Sequence, residues 1–332
     1  MIESTTMQLQ LIKCHGSGND FILIDERSPD IGWDREQRAA MAIAWCDRDT
    51  GIGADGILFV QDLQGFDGVM VIYNADGSEA EMCGNGLRCV ARFLSEDLQK
   101  ESLLIHTLGG DYSCHRATGF FGEVAAYSIE MNAADFNAAS ILKEADATVI
   151  DQSLDFLSSS YRFSALSAPN PHLVAQTPAD NTTELVRIGT SCNRERNYFP
   201  RGVNVNFFTS IDDRSIFVET FERGVGLTNA CGTGMFATSV VAHLLKAIPL
   251  NEWVTVYNRG GFVRIRIRQD EQERYTGDLL GNATFEYSVR IHFENGNPGA
   301  FSLQEKEIRQ AEIDQYQKLQ EYAEQQIASV IK

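Results

Sequence analysis

Two stretches decide the fold. The first is Asn74-Ala-Asp-Gly-Ser-Glu-Ala-Glu-Met-Cys83-Gly-Asn-Gly-Leu-Arg-Cys-Val-Ala-Arg-Phe-Leu94, and the second is Phe221-Glu-Arg-Gly-Val-Gly-Leu-Thr-Asn-Ala-Cys231-Gly-Thr-Gly-Met-Phe-Ala-Thr-Ser-Val-Val241. Each reads as the end of a strand, a glycine-containing loop, the tetrapeptide Cys-Gly-[Asn/Thr]-Gly, and then an amphipathic helix. Cys231 follows Cys83 by 148 residues, about one domain length. Duplication of one unit within the chain is the economical reading. The boundary falls near 130–135, where MNAADFNAAS interrupts a strand pattern.

Outward from these repeats, strand signals dominate. VMVIY (69–73), FVRIRIR (262–268) and EYSVRIHFE (286–294) are rich in β-branched or aromatic residues, and the last two alternate apolar with polar, as half-buried antiparallel strands do. Helical spacing is confined to 85–98, 182–192, 233–245 and the C-terminal tail. Strands followed by single helices, without regular alternation, predict an α+β fold. Gly51-Ile-Gly-Ala-Asp-Gly56 matches a dinucleotide-binding pattern, but polar CDRDT precedes it and apolar ILFV follows. That motif needs a strand before and a helix after, so a tight turn into a strand is expected instead.

Composition excludes several classes of function. The 332 residues are 43% hydrophobic and 22% charged, which is ordinary for a folded protein, with a formal charge of −18. Such an acidic chain is a poor partner for nucleic acid or an anionic membrane, since phosphate contacts need clustered Lys and Arg. Seven cysteines at uneven spacing argue against a disulfide framework. Without CxxC, HExxH or a close Cys/His cluster, no metal is expected. The start MIESTTMQLQ is not a signal peptide. The uncharged run Val225–Leu245 is too polar and turn-prone to span a bilayer. A reduced, soluble, cytoplasmic protein is the expectation.

The repeated cysteines each precede a helix, where unpaired N–H groups and the positive dipole end favour a thiolate or hold a carboxylate. Two such sites facing one another would place acid–base groups on opposite sides of one carbon acid, the geometry of stereoinversion. Cys89 reads as core, and Cys14, Cys46, Cys114 and Cys192 as structural.

At these residues the chain resembles the diaminopimelate epimerase family, over about residues 8–294. The resemblance is carried by His15-Gly-Ser-Gly-Asn19-Asp-Phe, Thr50-Gly-Ile-Gly-Ala-Asp-Gly, Asn74-Ala-Asp-Gly-Ser-Glu, Cys83-Gly-Asn-Gly, Asn170-Pro-His172, Asn204-Val-Asn-Phe, Glu222-Arg223-Gly and Ala230-Cys231-Gly-Thr-Gly. It implies interconversion of L,L- and meso-diaminopimelate without cofactor, on the route to lysine and peptidoglycan. It also implies two pseudo-symmetric domains, each a curved antiparallel sheet around a central helix, with the site in a cleft. By motif, Cys83 and Cys231 would be the two bases, with His172 and Glu222 beside them. Asn19, Asn74, Asn170, Asn204 and Arg223 would bind the far end of the substrate, and Gly84, Asn85, Gly232 and Thr233 its α-carboxylate. Leu227 stands where many members have Glu, and Gly56 where some have Gln.

The expected domains are 1–131 with Cys83, to which a strand near 285–294 returns, and 132–284 with Cys231. An added C-terminal helix over 303–332 follows, its stripe of Ile313, Tyr316, Leu319, Ala323, Ile327 and Val330 either packing on its own domain or joining two copies in a homodimer. The competing functions are another cofactor-independent amino-acid racemase on the same scaffold and a thiol redox protein.

Overall fold

The computed structural model describes residues 6–28, 32–143, 148–178, 181–194, 197–294 and 296–329. Its contacts divide into two compact units, Met1–Ile129 with Gly281–Gln317, and Glu130–Leu280 with Lys318–Lys332.

In the first unit β1 (Thr6–Gly16) and β2 (Asn19–Asp25) form an antiparallel hairpin, and α1 (Arg35–Cys46) crosses over to β3 (Gly56–Gln61), parallel to β2 with Phe21 opposite Gly56. β4 (Gly68–Asn74) returns antiparallel and pairs with the short β5 (Glu79–Ala80). Then α2 (Gly84–Leu98) crosses to β6 (Ser102–Thr107), parallel to β4, before β7 (Gly110–Ala117) and β8 (Ala126–Met131) follow antiparallel.

The second unit repeats this order. After β9 (Gln152–Leu154) comes the hairpin of β10 (Ser158–Ser167) and β11 (Pro171–Gln176), and α3 (Thr182–Arg194) crosses to β12 (Asn204–Asp212), parallel to β11 with His172 opposite Asn204. β13 (Ser215–Glu222) pairs with β14 (Gly226–Thr228), and α4 (Gly232–Leu244) leads to β15 (Trp253–Asn258), parallel to β13. β16 (Gly261–Gln269) and β17 (Tyr275–Asn282) complete it. Finally β18 (Thr284–Glu294) pairs along β1, β19 (Asn297–Ile308) pairs with β18, and α5 (Gln310–Ala328) ends the chain.

The fold is α+β, but the sheets are mixed rather than purely antiparallel. Each of α1 to α4 is a crossover, and a crossover joins parallel neighbours where a hairpin joins antiparallel ones. α1 was not apparent from apolar spacing. Its signal is local, a capping box in which Asp34 accepts from the Gln37 N–H and the Gln37 side chain accepts from the Asp34 N–H.

The repeated helices α2 and α4 are the most buried. α4 carries no charged residue and is buried from Gly232 to Ala242, whereas α2 is buried from Gly84 to Arg92 despite two arginines. α1 and α3 bury one face each, through Met41, Ala42, Trp45 and Cys46, and through Leu185, Ile188, Gly189 and Cys192. Strand alternation separates the layers. On β12, Val205 and Phe207 join the α3 core, while the Asn206 side chain reaches toward Gly234 of α4. The residues 51–56 form a turn with Gly53 at φ +81° and lead into β3, as their flanks predict.

The tail departs from expectation over 303–308, which is strand and not helix. Phe301 and Leu303 lie opposite Phe293 and Ile291, so pairing along β18 overrides the local helical spacing. In α5, Tyr316, Leu319, Ala323 and Ile327 are buried, Ile313 is partly so, and Val330 lies outside the described residues. The chain itself covers this stripe. Among the described residues, no helix is long and apolar enough to cross a membrane.

Candidate active site

In the first unit Cys83 is the residue before α2, in extended backbone at φ −139° and ψ 114°. Its Sγ lies 3.6 Å from Asn19 Oδ1, which also accepts from Asn85 Nδ2 at 3.2 Å. Asn19 in turn donates to Asp55 at 2.7 Å, which holds its carbonyl toward the sulfur. Asn74 sits apart in the β4–β5 turn, exposed, its amide donating to Ser78 Oγ at 2.9 Å.

A residue that the motif reading passed over stands directly behind Cys83. Arg88 is fully buried on α2, and its guanidinium donates to the Asn282 carbonyl at 2.9 Å, Asn85 Oδ1 at 3.0 Å, Ser17 Oγ at 3.1 Å and the Gly84 carbonyl at 3.4 Å. None of these partners is a carboxylate. A buried cation whose hydrogen-bond partners are neutral leaves its charge directed at whatever anion forms nearby.

The second unit places Cys231 before α4 in the same extended conformation, φ −121° and ψ 108°. Its surroundings differ. Cys231 Sγ accepts from the Gly234 N–H at 3.4 Å and lies 3.5 Å from Thr233 Oγ1, and Thr233 Oγ1 is 3.2 Å from His172 Nε2. Burial, and then the Glu222 carboxylate beside it, push the Cys231 thiol up, against smaller lowering by Thr233 and Gly234. His172 is wholly buried, and burial with the nearby Arg223 charge brings its pKa down to about 3. It is therefore neutral imidazole at pH 7. Asn204 Oδ1 accepts from the Arg223 N–H at 2.8 Å, and the exposed Arg223 side chain donates to the Arg201 carbonyl. Asn170 sits in the β10–β11 turn, where its carbonyl accepts from the Ala168 N–H.

The sequence-predicted residues thus form two groups, Asn19, Cys83, Gly84 and Asn85 in one unit, and His172, Asn204, Glu222, Arg223, Cys231, Gly232 and Thr233 in the other. The groups are equivalent in the duplication and different in chemistry. The 148-residue offset that relates the cysteines also sets Glu222 in the place of Asn74 and Asn204 in that of Gly56. Strand register sets His172 in the place of Phe21. The other cysteines are core. Cys14, Cys89 and Cys114 are fully buried, and burial drives Cys46 and Cys192 up to about 12. Among the described residues, no three His, Cys, Asp or Glu side chains are grouped to hold a metal ion.

Comparison with solved structures defines the class. The chain shares its fold with a PhzF-family phenazine biosynthesis protein of Bacillus anthracis (TM-score 0.62, 16% identity, covering 86% of this chain and 99% of that one). A hydroxyproline epimerase of Agrobacterium vitis shares it too (TM-score 0.61, 14% identity, 88% and 94%). Sequence comparison narrows the class to a family. The profile of the family Diaminopimelate epimerase matches residues 11–117 and 164–285. The diaminopimelate epimerase of Clostridium acetobutylicum is 38% identical over 317 residues, 95% of each chain, and that of Enterococcus faecalis 40% identical over 304 residues, 89% of this chain and 93% of the relative. The chain belongs to the diaminopimelate epimerase family, a family of isomerases.

Proposed function

We propose that Cys83 and Cys231 are the two acid–base groups of a diaminopimelate epimerase working in lysine and peptidoglycan-precursor biosynthesis. One sulfur, as thiolate, takes the α-proton of L,L-diaminopimelate, and the electron pair left on carbon delocalises into the α-carboxylate. The other sulfur, as thiol, delivers its proton to the opposite face, giving the meso isomer and leaving the two sulfurs with protonation states exchanged. The observation that carries this reading is the placement of both cysteines as the capping residues of the two most buried helices. There the N–H groups at Gly84, Asn85, Gly232 and Thr233 are disposed to hold a carboxylate as it takes up charge.

The asymmetry of the two sites supports a resting state with Cys83 as the base and Cys231 as the acid. Burial and Glu222 favour the thiol at Cys231, and the Arg88 charge, hydrogen-bonded to neutral partners and interacting with Cys83, favours the thiolate there. Asn19, Asn74, Asn170 and Asn204 supply amides for the distal ammonium and carboxylate, and Arg223 a guanidinium fork. The reaction needs no cofactor, because the thiol pair performs both proton transfers. Reactive thiols suit the reduced cytoplasm. The charge of −18 disfavours nucleic acid as a partner, and the covered face of α5 is closed to a second copy in a homodimer.

The test is proton NMR of L,L-diaminopimelate in D₂O with reduced, pyridoxal-free enzyme, beside other L-amino acids. Loss of the α-proton signal with appearance of the meso isomer, for diaminopimelate alone, is expected. Exchange with a different amino acid would keep the two-thiol chemistry and overturn the substrate.

A further inference from the structure

Asn206, which lies within the Asn204-Val-Asn-Phe motif but received no role there, forms a buried polar pair with Thr220. They lie opposite one another on β12 and β13, each under 4% exposed, flanked by Val205 and Phe207 on β12 and by Glu219 and Phe221 on β13. Buried polar groups in such a layer are retained only when their bonds are made, and these bonds converge on the Cys231 site. Thr220 Oγ1 donates to Asn206 Oδ1 at 2.9 Å, and Asn206 Nδ2 lies 3.1 Å from His172 Nδ1.

The orientation of the Asn206 amide follows from its other neighbours. The carbonyl oxygens of Leu173 and Asn204 both stand 3.5 Å from Nδ2. A nitrogen with two hydrogens is at ease between two carbonyls and the ring, whereas an oxygen there would face two other oxygens. Nδ2 therefore donates to His172 Nδ1, which must be the unprotonated ring nitrogen. Neutral imidazole carries a single N–H, so it sits on Nε2 and points at Thr233 Oγ1. The Thr233 hydroxyl accepts that N–H on one lone pair and keeps its own hydrogen, which it donates to Cys231 Sγ, 3.5 Å away, when that sulfur is a thiolate with no hydrogen to give. Gly234 makes room for this assembly, since a Cβ there would stand 2.5 Å from Asn206 Oδ1 and 3.2 Å from both Cys231 Sγ and Thr220 Oγ1.

We infer that Asn206, held by Thr220, is a positioning residue that locks His172 as the Nε2–H tautomer, so that His172 and Thr233 form a one-way donor chain ending on the Cys231 sulfur. His172 is then a donor and not a proton acceptor. The chain stabilises negative charge on Cys231 in the half-reaction where that sulfur is the base, offsetting the opposing influence of Glu222. The inference deepens the two-thiol reading and rests on it for its catalytic consequence, but the tautomer is measurable without turnover.

The experiment is ¹⁵N NMR of the enzyme labelled in its histidine rings, with the His172 signals identified by their loss in His172→Gln. The expected result is a neutral Nε2–H ring at His172 that does not titrate between pH 5 and 9. An Nδ1–H ring, or a protonated ring at pH 7, overturns the proposal whatever the activity. In Asn206→Asp the carboxylate accepts where the amide donated, so the proton is expected to move to Nδ1. The kcat is then expected to fall roughly 10- to 100-fold with KM changed less than about twofold. Thr220→Val, which keeps shape while releasing the amide, is expected to lower kcat in the same sense with a smaller loss. If Asn206→Asp folds, as judged by its melting transition, and keeps both the tautomer and kcat of the parent, Asn206 has no positioning role.

Discussion

Cys83 and Cys231 occupy equivalent places at two helix starts, yet their neighbours carry opposite charge. Arg88, behind Cys83, has four hydrogen-bond partners and no carboxylate among them, and α4 has Phe236 at the position 148 residues on. Glu222, beside Cys231, has Asn74 as its counterpart. Two groups of one chemical type whose environments push their proton affinities apart are suited to act as base and acid in the same turnover. Either Cys83→Ala or Cys231→Ala is therefore expected to abolish epimerisation in reduced protein while preserving the fold. Isomer analysis of the product by chiral chromatography checks this, and near-parental turnover in either variant would remove that sulfur from the mechanism.

At the level of elements, the helix that follows the family match earns attention because it closes over α2. Arg92 of α2 is buried, bonded to Glu96 at 2.7 Å, to the Ala283 carbonyl at 2.8 Å and to both carboxylate oxygens of Glu312, and it stacks 4.1 Å from the Phe285 ring. Glu312 also accepts from the Phe285 N–H at 3.2 Å. Four residues farther on, Tyr316 lies edge-on to His15 with ring centroids 4.2 Å apart. Removing Glu312 leaves the buried Arg92 guanidinium with Glu96 as its carboxylate partner and strips it of two charge-assisted hydrogen bonds. Glu312→Ala is expected to destabilise the protein by about 2–3 kcal/mol, read as a lower midpoint in urea unfolding with an unchanged slope. A midpoint within error of the parent would make α5 a dispensable attachment at this end.

For the whole molecule, each unit carries one deeply buried neutral histidine, and their shared consequence is a loss of stability in mild acid. Burial lowers His15 to about 4 and His172 to about 3. Below the ordinary value near 6.5 the unfolded chain binds protons that the folded chain refuses, so stability falls as pH falls. The loss proceeds from about pH 6.5 down to the folded values, approaching about 1.4 kcal/mol per unit for each histidine. The ordinary carboxylate range lies below the window of pH 7 to 5, and Glu286, which burial pushes up, would act with the opposite sign. Urea midpoints at pH 7, 6 and 5 are expected to decline, and less steeply in His15→Asn. A flat profile would show that both rings protonate in the folded protein.

What the sequence determined by itself is what adjacent residues encode. The two Cys-Gly-x-Gly segments, the glycine turn before β3, the helical spacing at 85–98, 182–192 and 233–245 and the family motifs are local patterns, and they sufficed for the duplication, the fold class and the reaction family. Local spacing failed where long-range pairing competes with it, as at 303–308, where β18 draws a helix-patterned segment into a strand. The sheet directions, too, were decided only when crossovers set His172 beside Asn204 in parallel register. The site's electrostatics belong to the tertiary structure for the same reason. Asn206 meets His172 across 34 residues of chain, and Arg88 meets Asn282 across 194. Whether a buried amide or guanidinium perturbs a thiol depends on which partners take up its hydrogen bonds and charge, and folding alone brings those partners together.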